Sequence, residues 1–591
     1  MSSIAGADPS PSRRLAGTGP DRPEYGDVHV RNPRDPGRAR GMVRAMPTSA
    51  ERLDTDALLR DAAACHRVLR ARDARFDGRL FVGVRTTGVY CRPICPARTP
   101  KPTSCSFFAT AAAAQEAGFR PCLRCRPELS PQLATWHGTS STVSRALALI
   151  REGALDGDDA SVERLAERLG LGERQLRRLF REHLGASPVS VAQTRRVLFA
   201  KHLLHETHLP MVQVALAAGF GSVRRFNETF RTLYGRPPRQ LRRAGQHPDE
   251  VDARSPAADV VLRLPYASPY DWDAMRAFLA ARAIPGVEEV RDGSYRRTLA
   301  VGDVHGTIAV APDATASELR VAIRVSDVAV LSDVVARVRR VFDLEADPRA
   351  IATHLAHDPL LAPLVASRPG LRVPGGWDGF ELAVRAILGQ QVSVTGARTL
   401  AGRLVARYGE PLAGGRGDAR LTHVFPTPAR LADADPSALG LPRSRGEALR
   451  ALARASRDDA RLFRTAQGLD EAVARLRALP GVGEWTAQYV ALRALREPDA
   501  FPADDLGLQR ALAGEDGRRS SARQLLQRAE PWRPWRAYAA QHLWTSAAGA
   551  SAWRRDHRIE VGHGVEQRTT ARAAALPARD ADRRPRAAAG R

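Results

Sequence analysis

Apolar residues recur along most of this chain at spacings of three and four positions, the period of an amphipathic helix. The stretch VERLAERLGLGERQLRRLF, which begins at Val162, has this pattern, and VQVALAAGFGSVRRFNETF, which begins at Val212, repeats it. From about residue 347 to residue 554 almost every segment is of this kind, with short breaks at glycine and proline. The pattern therefore predicts a mostly α-helical protein.

A different pattern occupies residues 258–346, where runs typical of strands alternate with helical ones. The strand runs are VVLRL, YRRTLAV, GTIAVA and LRVAIRV, and the helical runs are DWDAMRAFLAARA and VLSDVVARVRRVF. This part of the chain is therefore expected to form a small α+β domain.

The chain has 591 residues, which is too many for one hydrophobic core. Segments without apolar periodicity predict disordered tails at 1–50 and 557–591 and a polar linker at 247–257. The expected fold class is multidomain and mostly α, with disordered termini. The predicted folded domains are a small cysteine-containing domain, a doubled helical domain, the α+β domain and a helical core, at 51–131, 139–246, 258–346 and 347–556 respectively.

Composition argues against a membrane-spanning or secreted protein and favours a partner with many negative charges. No apolar run approaches the about 18 residues of a membrane span, and the start lacks the apolar segment of a secretory signal, so we expect a cytoplasmic protein without membrane contact. Met42 and Met46 are alternative start positions. The formal net charge of +25 favours a polyanionic partner such as nucleic acid, although a genome rich in arginine codons is an alternative source of the arginines.

All six cysteines lie between Cys65 and Cys125. Four of them form two close pairs, Cys91 with Cys95 and Cys122 with Cys125. In a reducing cytoplasm such pairs are typical of a metal site and not of disulfides. Four thiolates satisfy the tetrahedral coordination of Zn²⁺, so we predict one zinc ion held by these cysteines.

The residues around these cysteines, GRLFVGVRTTGVYCRPICPART and AGFRPCLRCRPE, resemble the amino-terminal domain of the Ada family, which responds to alkylation damage. The resemblance implies that Cys91 accepts a methyl group from a methylated DNA phosphotriester, with zinc keeping the sulfur deprotonated. Because they lie beside the predicted ligands, Arg92, Arg98 and Arg120 are expected to face phosphate, the alternative being solvated surface arginines.

Cys65 requires separate treatment, because Cys65-His66-Arg67-Val68 resembles the nucleophile motif of a second methyltransferase domain in Ada-type proteins. Here Ala64 replaces the proline of that motif, and no such domain follows. We therefore interpret Cys65 as a helix residue of the zinc domain, and Cys105 likewise has no partner at a ligand spacing.

In the predicted doubled helical domain, LAERLG at 165–170 is echoed by VALAAG at 214–219. Two helix-turn-helix units are implied, and the doubling resembles the AraC-type DNA-binding domain. The alternative is a helical bundle with solvated arginines. Recognition helices are expected at about 173–183 and 222–233. They would present to the major groove Arg174, Gln175, Arg177, Arg178, Arg224, Arg225 and Asn227.

From about residue 260 to residue 554 the chain resembles AlkA-type 3-methyladenine DNA glycosylases. SPYDWDAMRAFLAARA and SYRRTLAVGDVHGTIAV match the family's small α+β domain. RAILGQQVSV, LPGVGEWTAQYVALRAL and FPADDLGLQRAL match its helix-hairpin-helix core. The hairpin would place Leu479, Gly481 and Gly483 against a DNA phosphate, because glycine lacks a Cβ that would block the approach.

The resemblance also assigns chemistry to individual residues. Asp505 matches the catalytic carboxylate, which would stabilise the positive charge that develops on the sugar. Its neighbour Asp504 is the competing candidate, and its structural alternative is to cap the helix that begins at Leu506. Gln391 matches the residue that fills the gap left by the flipped nucleotide, where AlkA has leucine. The aromatic residues expected to line the base pocket are Phe278, Trp485, Tyr489 and Trp544.

Related helix-hairpin-helix enzymes that also cleave the strand have a lysine where this chain has Trp485, so no Schiff base is expected. The chain has no cysteine after Cys125 for an iron–sulfur cluster, and no nucleotide-cofactor motif. The leading interpretation is a monofunctional glycosylase fused to an alkylation sensor and transcription regulator, with double-stranded DNA and RNA polymerase as partners. Two alternatives stay open: a regulator with a catalytically silent glycosylase half, and a glycosylase whose other domains only target it to DNA.

Overall fold

The computed structural model of this chain describes residues 55–131, 141–156, 160–242, 258–412, 420–435, 439–459, 462–463, 468–513 and 518–547. All of them belong to one compact unit, Arg52–Arg591. The predicted disordered tails, the predicted linker and the alternative start positions lie outside the described residues. Among the helices that are described, none combines the length and the apolar character needed to cross a bilayer.

Residues 55–131 form the cysteine module. Its strands are Phe81–Val84, Val89–Cys91, Cys105–Phe108 and Arg120–Pro121, and its helices are Thr55–Leu59, Ala62–Ala71 and Ala111–Glu116. The third strand forms one edge of the sheet and is followed by the first, the second and the fourth. The second and fourth strands are parallel, with Tyr90 opposite Pro121. Because both cysteine pairs follow directly after these positions, the parallel register brings the pairs together.

Residues 141–242 form the helix-turn-helix module. Its helices are Ser141–Arg151, Val162–Arg168, Glu173–Leu184, Pro188–Glu206, Met211–Ala217 and Val223–Tyr234. The tight turns of the two units are equivalent, since Gly170 and Gly219 both have positive φ angles, of 70° and 82°. The doubled motif and both recognition helices agree with the sequence prediction to within one residue.

Residues 258–345 form the sheet module. Its strands are Ala258–Pro265, Glu288–Arg291, Ser294–Val301, Val304–Pro312 and Glu318–Val325, and its main helices are Trp272–Arg282 and Leu331–Val341. The sequence analysis missed Glu288–Arg291, an edge strand with little apolar pattern. A turn signal was present, however, because Asp292 and Gly293, with φ angles of 50° and 73°, form the hairpin to the next strand.

Residues 347–547 form the C-terminal helical module. Its helices are Pro348–Leu355, Leu361–Ser367, Gly379–Leu388, Val394–Tyr408, Pro428–Ala432, Arg443–Asp458, Leu469–Arg477, Glu484–Arg493, Leu506–Ala511 and Ala522–Ala529, and residues 536–547 are also helical. A two-stranded sheet pairs Glu410–Pro411 with His423–Val424. One large apolar core spans the module and reaches Ile284 of the sheet module.

Apolar packing also joins the other modules. The second helix-turn-helix unit and the sheet module share one buried cluster. Val214 and Phe230 of the unit and Leu262 and Val334 of the sheet module contribute to it. Apolar surface buried between modules stabilises their relative placement. The sheet module therefore shares apolar packing with the second helix-turn-helix unit and with the C-terminal helical module.

Candidate functional site

Four cysteine side chains converge beside the sheet of the cysteine module and form a thiol cluster. The sulfur atoms of Cys91, Cys95, Cys122 and Cys125 all lie within 4.8 Å of one another. Tetrahedral zinc with Zn–S bonds of about 2.3 Å places its sulfur ligands about 3.8 Å apart, so this donor set fits one zinc ion. Cys91 is partly exposed, whereas the other three are buried. Cys91 is therefore the thiol of the cluster that is most open to an outside reactant.

The residues beside the thiol cluster do not all face outwards. The Arg92 side chain donates from Nε to Asp77 Oδ1 at 2.8 Å and from Nη1 to the Cys125 carbonyl at 3.1 Å, and it is 12% exposed. The prediction that Arg92 faces phosphate is wrong, because this buried ion pair already engages its guanidinium. Arg98 is exposed, and Arg120 is partly buried, 6.0 Å from the ring of Tyr234.

Cys65 lies inside the helix Ala62–Ala71 and is fully buried. Its thiol donates to the Leu58 carbonyl at 3.2 Å. Burial, together with the nearby Asp61, raises the pKa of Cys65 to about 11, so the side chain is a thiol at neutral pH. Cys105 is also buried, and burial raises its pKa. The position of Cys65 agrees with its interpretation as a helix residue of the zinc domain, and neither Cys65 nor Cys105 belongs to the thiol cluster.

Buried charges connect the thiol cluster to the helix-turn-helix module. Lys201, on the long helix Pro188–Glu206, donates to the Cys122 carbonyl at 2.8 Å and to Glu128 at 2.6 Å. Burial raises the pKa of Glu128, but His205, Lys201 and Arg126 outweigh it, and the pKa lies well below its ordinary value. The backbone of one zinc knuckle is thus fixed to the helix that joins the two helix-turn-helix units.

The recognition helices present most of the predicted side chains to solvent. The exposed residues are Arg174, Gln175, Arg177, Arg178, Arg224 and Arg225. Two residues have contacts within their own helix: Arg177 pairs with Glu173, and Asn227 donates to the Val223 carbonyl at 3.0 Å. The helix surfaces therefore carry exposed cations, whereas Asn227 is partly buried.

The segment 479–483 is a hairpin between two helices. Gly481 has a φ of +77°, and a Cβ there would lie 2.4 Å from the Cβ of Ala448, so backbone conformation and helix packing both require glycine. At Gly483 a Cβ would meet nothing within 4 Å. Leu479 packs against the core. Gly483, directly before the helix Glu484–Arg493, therefore has open space beside its backbone.

A second turn lies beside the hairpin. Gln390 donates to the Gly481 carbonyl and to Thr486 Oγ1, both at 3.0 Å, and so fixes the turn to the hairpin. The next residue, Gln391, is exposed and has a positive φ of 57°. Val392 follows it and is 39% exposed. An exposed apolar side chain thus lies directly beside Gln391.

Asp505 is held by three hydrogen bonds. Its Oδ2 accepts from Trp485 Nε1 at 2.8 Å, and its Oδ1 accepts from Trp544 Nε1 at 2.8 Å and from the Leu508 backbone N–H at 3.0 Å. Asp505 is therefore the N-cap of the helix Leu506–Ala511. The capping role considered for Asp504 belongs to Asp505, and Asp504 is exposed. The carboxylate has a fixed orientation because both of its oxygens have partners.

The predicted pocket aromatics do gather, but around a protein cation. Trp485 and Tyr489 stack with ring centroids 5.2 Å apart. The Arg493 guanidinium lies 4.4 Å, 5.1 Å and 5.3 Å from the ring centroids of Phe278, Tyr489 and Trp544. Sequence reasoning missed Arg493, since helical spacing alone gives no sign that this arginine points inwards.

Arg493 is 2% exposed and donates to the Pro374 carbonyl at 2.7 Å and to Gln541 Oε1 at 3.1 Å. Burial lowers the pKa of Arg493 to about 10, which leaves it charged at neutral pH. Burial raises the pKa of Tyr489, but Arg493 and Arg282 outweigh it, and the pKa lies below its ordinary value. The guanidinium of Arg493 thus already makes cation–π contacts with three of the four predicted pocket aromatics.

The chain is similar over most of its length to known DNA repair proteins. Over 486 residues the chain is 44% identical to the "Probable bifunctional transcriptional activator/DNA repair enzyme AlkA" of Mycobacterium tuberculosis, and the match covers 82% of this chain and 96% of that protein. The chain belongs to the family of this protein. Its AlkA part is 40% identical, over 284 residues, to "DNA-3-methyladenine glycosylase 2" of Escherichia coli, covering 48% of this chain and 95% of that protein.

Four family models match this member of the AlkA family. They are the metal binding domain of Ada at residues 64–128, a helix-turn-helix domain at 165–244, the AlkA N-terminal domain at 261–378, and the HhH-GPD superfamily base excision DNA repair protein at 384–534. The "Bifunctional transcriptional activator/DNA repair enzyme Ada" of Escherichia coli is 31% identical over 177 residues, covering 30% of this chain and 48% of that protein. The predicted order of modules is confirmed.

Proposed function

We propose that this protein is a monofunctional DNA glycosylase for alkylated purines such as 3-methyladenine, fused to a zinc-dependent methyl acceptor and transcription regulator. The observation that carries the glycosylase half is the fixed carboxylate of Asp505, with both oxygens held by indole N–H groups. The direct test is release of free 3-methyladenine from alkylated duplex DNA by the full-length protein. Absence of any released base would favour the regulator with a silent glycosylase half.

In this proposal the hairpin and the neighbouring turn position the DNA. The open backbone at Gly483 binds a phosphate, and Gln391 enters the stack where the target nucleotide leaves it. Gln391 hydrogen-bonds the orphaned base, while the exposed Val392 beside it supplies the apolar contact that a polar wedge lacks.

Asp505 then stabilises the positive charge that develops on the sugar as the N-glycosidic bond breaks. The bonding electrons leave with the base, and a water molecule adds its oxygen to C1′ and loses a proton. The indoles of Trp485 and Trp544 keep the carboxylate pointed at the sugar and bracket the flipped nucleotide. Arg493 already occupies faces of three pocket rings, so the base stacks on ring surface that the guanidinium leaves free.

At the other end of the chain, Cys91 is the proposed methyl acceptor. Its sulfur attacks the methyl carbon of a phosphotriester, the C–O bond breaks, and the electron pair stays on oxygen to restore the phosphodiester anion. A bound zinc ion would be held by the four cysteines and would keep the attacking sulfur as thiolate. The partial exposure of Cys91 among buried ligands supports this choice.

Methylation removes one negative charge from a surface that faces DNA phosphates. The thiol cluster is fixed to the helix-turn-helix module through Lys201, so tighter DNA contact at one module is passed to the other. We propose that the methylated protein then activates transcription, with RNA polymerase as a partner. A promoter-reporter assay with methylated and unmethylated protein tests this, and equal output from both would favour purely targeting domains.

We expect that the wild-type protein leaves abasic sites unbroken. Strand-cleaving relatives have a lysine as amine nucleophile at the position where this chain has Trp485. The indole N–H of Trp485 donates a hydrogen bond to Asp505. Borohydride should therefore trap no covalent protein–DNA adduct while base release proceeds. A lysine-bearing glycosylase of the same superfamily serves as the positive control, and a trapped adduct on this chain would contradict the proposal.

We expect Gly507→Ala to lower the rate of base release by about tenfold to a hundredfold with little change in folding. A Cβ at this position would lie 2.9 Å from Asp505 Oδ1 and 3.3 Å from Trp544 Cδ1, so carboxylate and indole must move. Single-turnover rates and DNA affinity measured together check this. Gly468→Ala, where a Cβ would meet nothing within 4 Å, is the matched control. Equal rates in both variants would show that Gly507 has no positioning role.

A further inference from the structure

A cavity of about 160 Å³ lies where three modules meet. Its wall combines the helix Ser141–Arg151 of the helix-turn-helix module, the helix Leu331–Val341 of the sheet module and residues 494–498 of the C-terminal helical module. One water molecule takes about 30 Å³ of the liquid, so the cavity has room for several waters or for a small ion.

Charged side chains from all three modules line the cavity. Among the described residues, its wall contains five arginines and four carboxylates. Four of the arginines have an acidic neighbour in another module: Arg151 pairs with Glu345 at 2.6 Å, Arg340 with Glu152 at 3.5 Å and Arg496 with Asp343, while Arg145 interacts electrostatically with Glu497. Each of the four carboxylates on the wall thus interacts with one of these four arginines, and the fifth arginine has no ion pair among the described residues.

The remaining cation is Arg339, which is 8% exposed. None of the described residues accepts a hydrogen bond from its buried Nη1, and no described carboxylate forms an ion pair with it. Burial lowers the pKa of Arg339 to about 10, so it remains charged at neutral pH. Glu345 attracts Arg339 electrostatically, but its carboxylate forms an ion pair with Arg151 at 2.6 Å. A buried guanidinium nitrogen without a hydrogen-bond acceptor is costly, and a bound anion would remove that cost.

We propose that Arg339 and this cavity bind a small phosphate-type oxyanion. The planar guanidinium presents parallel N–H donors that match two oxygens of such an anion. The wall contains five arginines against four carboxylates, so it carries one net positive charge for the anion. Because Arg339 is almost fully buried, the site favours a free ion or a phosphorylated small molecule over the backbone of a duplex.

The anion would lie in a cavity whose wall comes from three modules. It would therefore stabilise the placement of the first helix-turn-helix unit against the glycosylase half, without contacting Asp505 or the thiol cluster. This site is independent of the proposed function, because the buried charge and the cavity alone define it.

The test uses the full-length protein with inorganic phosphate, compared with chloride at equal ionic strength. Arg339→Met removes the unpaired charge and keeps the apolar stem, and Arg337→Met, on the same helix but not on the cavity wall, is the matched control. We expect phosphate to raise the melting temperature of the wild type and of Arg337→Met, with at least tenfold weaker phosphate binding in Arg339→Met. Arg339→Lys, which keeps the charge and loses the fork, should show an intermediate loss and replaces Arg339→Met if that variant does not fold.

Hydrogen exchange separates this site from the DNA-binding surfaces, which also attract phosphate. Phosphate should slow exchange in residues 141–151 and 494–498 of the wild type but not of Arg339→Met. Equal phosphate effects in wild type and Arg339→Met, or protection confined to the recognition helices, would overturn the proposal. Protection of the same peptides by a short duplex, with loss in Arg339→Met, would replace the small anion by DNA. A nucleoside monophosphate as second probe distinguishes the two sources: binding equal to that of phosphate assigns the free ion, and tighter binding assigns a phosphorylated small molecule.

Discussion

Asp505→Asn should reduce the release of 3-methyladenine by at least about a thousandfold while DNA affinity stays nearly unchanged. The carboxylate stabilises charge that exists only as the glycosidic bond breaks, so its loss affects the chemical step and not the binding of intact DNA. Single-turnover base release, measured beside fluorescence anisotropy on the same alkylated duplex, checks both parts of this expectation.

The hydrogen bonds of Asp505 add a structural consequence. The Asp505→Asn substitution turns one carboxylate oxygen into an amide nitrogen, and a donor then faces either the Trp485 N–H or the two N–H groups on Oδ1. At least one partly buried hydrogen bond is lost, which should lower the free energy of unfolding by about 1–2 kcal/mol. Urea unfolding measures this loss.

Asp504→Asn is the matched control for Asp505→Asn, because Asp504 is the adjacent and exposed carboxylate. We expect it to retain base release and stability. If Asp504→Asn lost turnover and Asp505→Asn retained it, the catalytic role would move to the neighbour.

Alkylated DNA should add the mass of one methyl group to the peptide that contains Cys91, and Cys91→Ser should block this addition. Cys91 is the partly exposed member of the thiol cluster, and a thioether still donates a lone pair, so zinc should remain bound. DNA affinity of the methylated protein should rise, since one negative charge has left a surface facing phosphate, and the gain should shrink as salt increases.

Zinc content must be measured beside methylation, because removing one of four ligands weakens metal binding by itself. Cys105→Ser is the control, since Cys105 is a buried thiol of the same module outside the cluster. A zinc-loaded Cys91→Ser variant that still gains the methyl mass would move the acceptor to another cysteine. Methylation without a change in DNA affinity would remove the sensor role and favour targeting.

Much of the architecture followed from local patterns in the sequence. Apolar periodicity and the glycines at 170 and 219 placed the two helix-turn-helix units, because helices and tight turns depend on residues close together in the chain. The spacing of Cys91, Cys95, Cys122 and Cys125 indicated the thiol cluster for the same reason, since each knuckle is a short turn. Strand Glu288–Arg291 was missed because Val290 is its one apolar residue that packs against the core. Its strand conformation depends on pairing with Ser294–Val301, which a local pattern does not show.

What the tertiary structure decided is which charges and polar groups meet. Asp505 accepts hydrogen bonds from indoles 20 and 39 residues away. It also caps the helix Leu506–Ala511, a role that the sequence analysis considered for Asp504. Arg92 points inwards and pairs with Asp77, and Arg493 lies among the pocket aromatics. A local pattern shows that a residue is polar or charged, but long-range packing decides which partner lies near it. A buried charge is costly without such a partner, so the folded chain pairs it with an opposite or polar group from a distant segment.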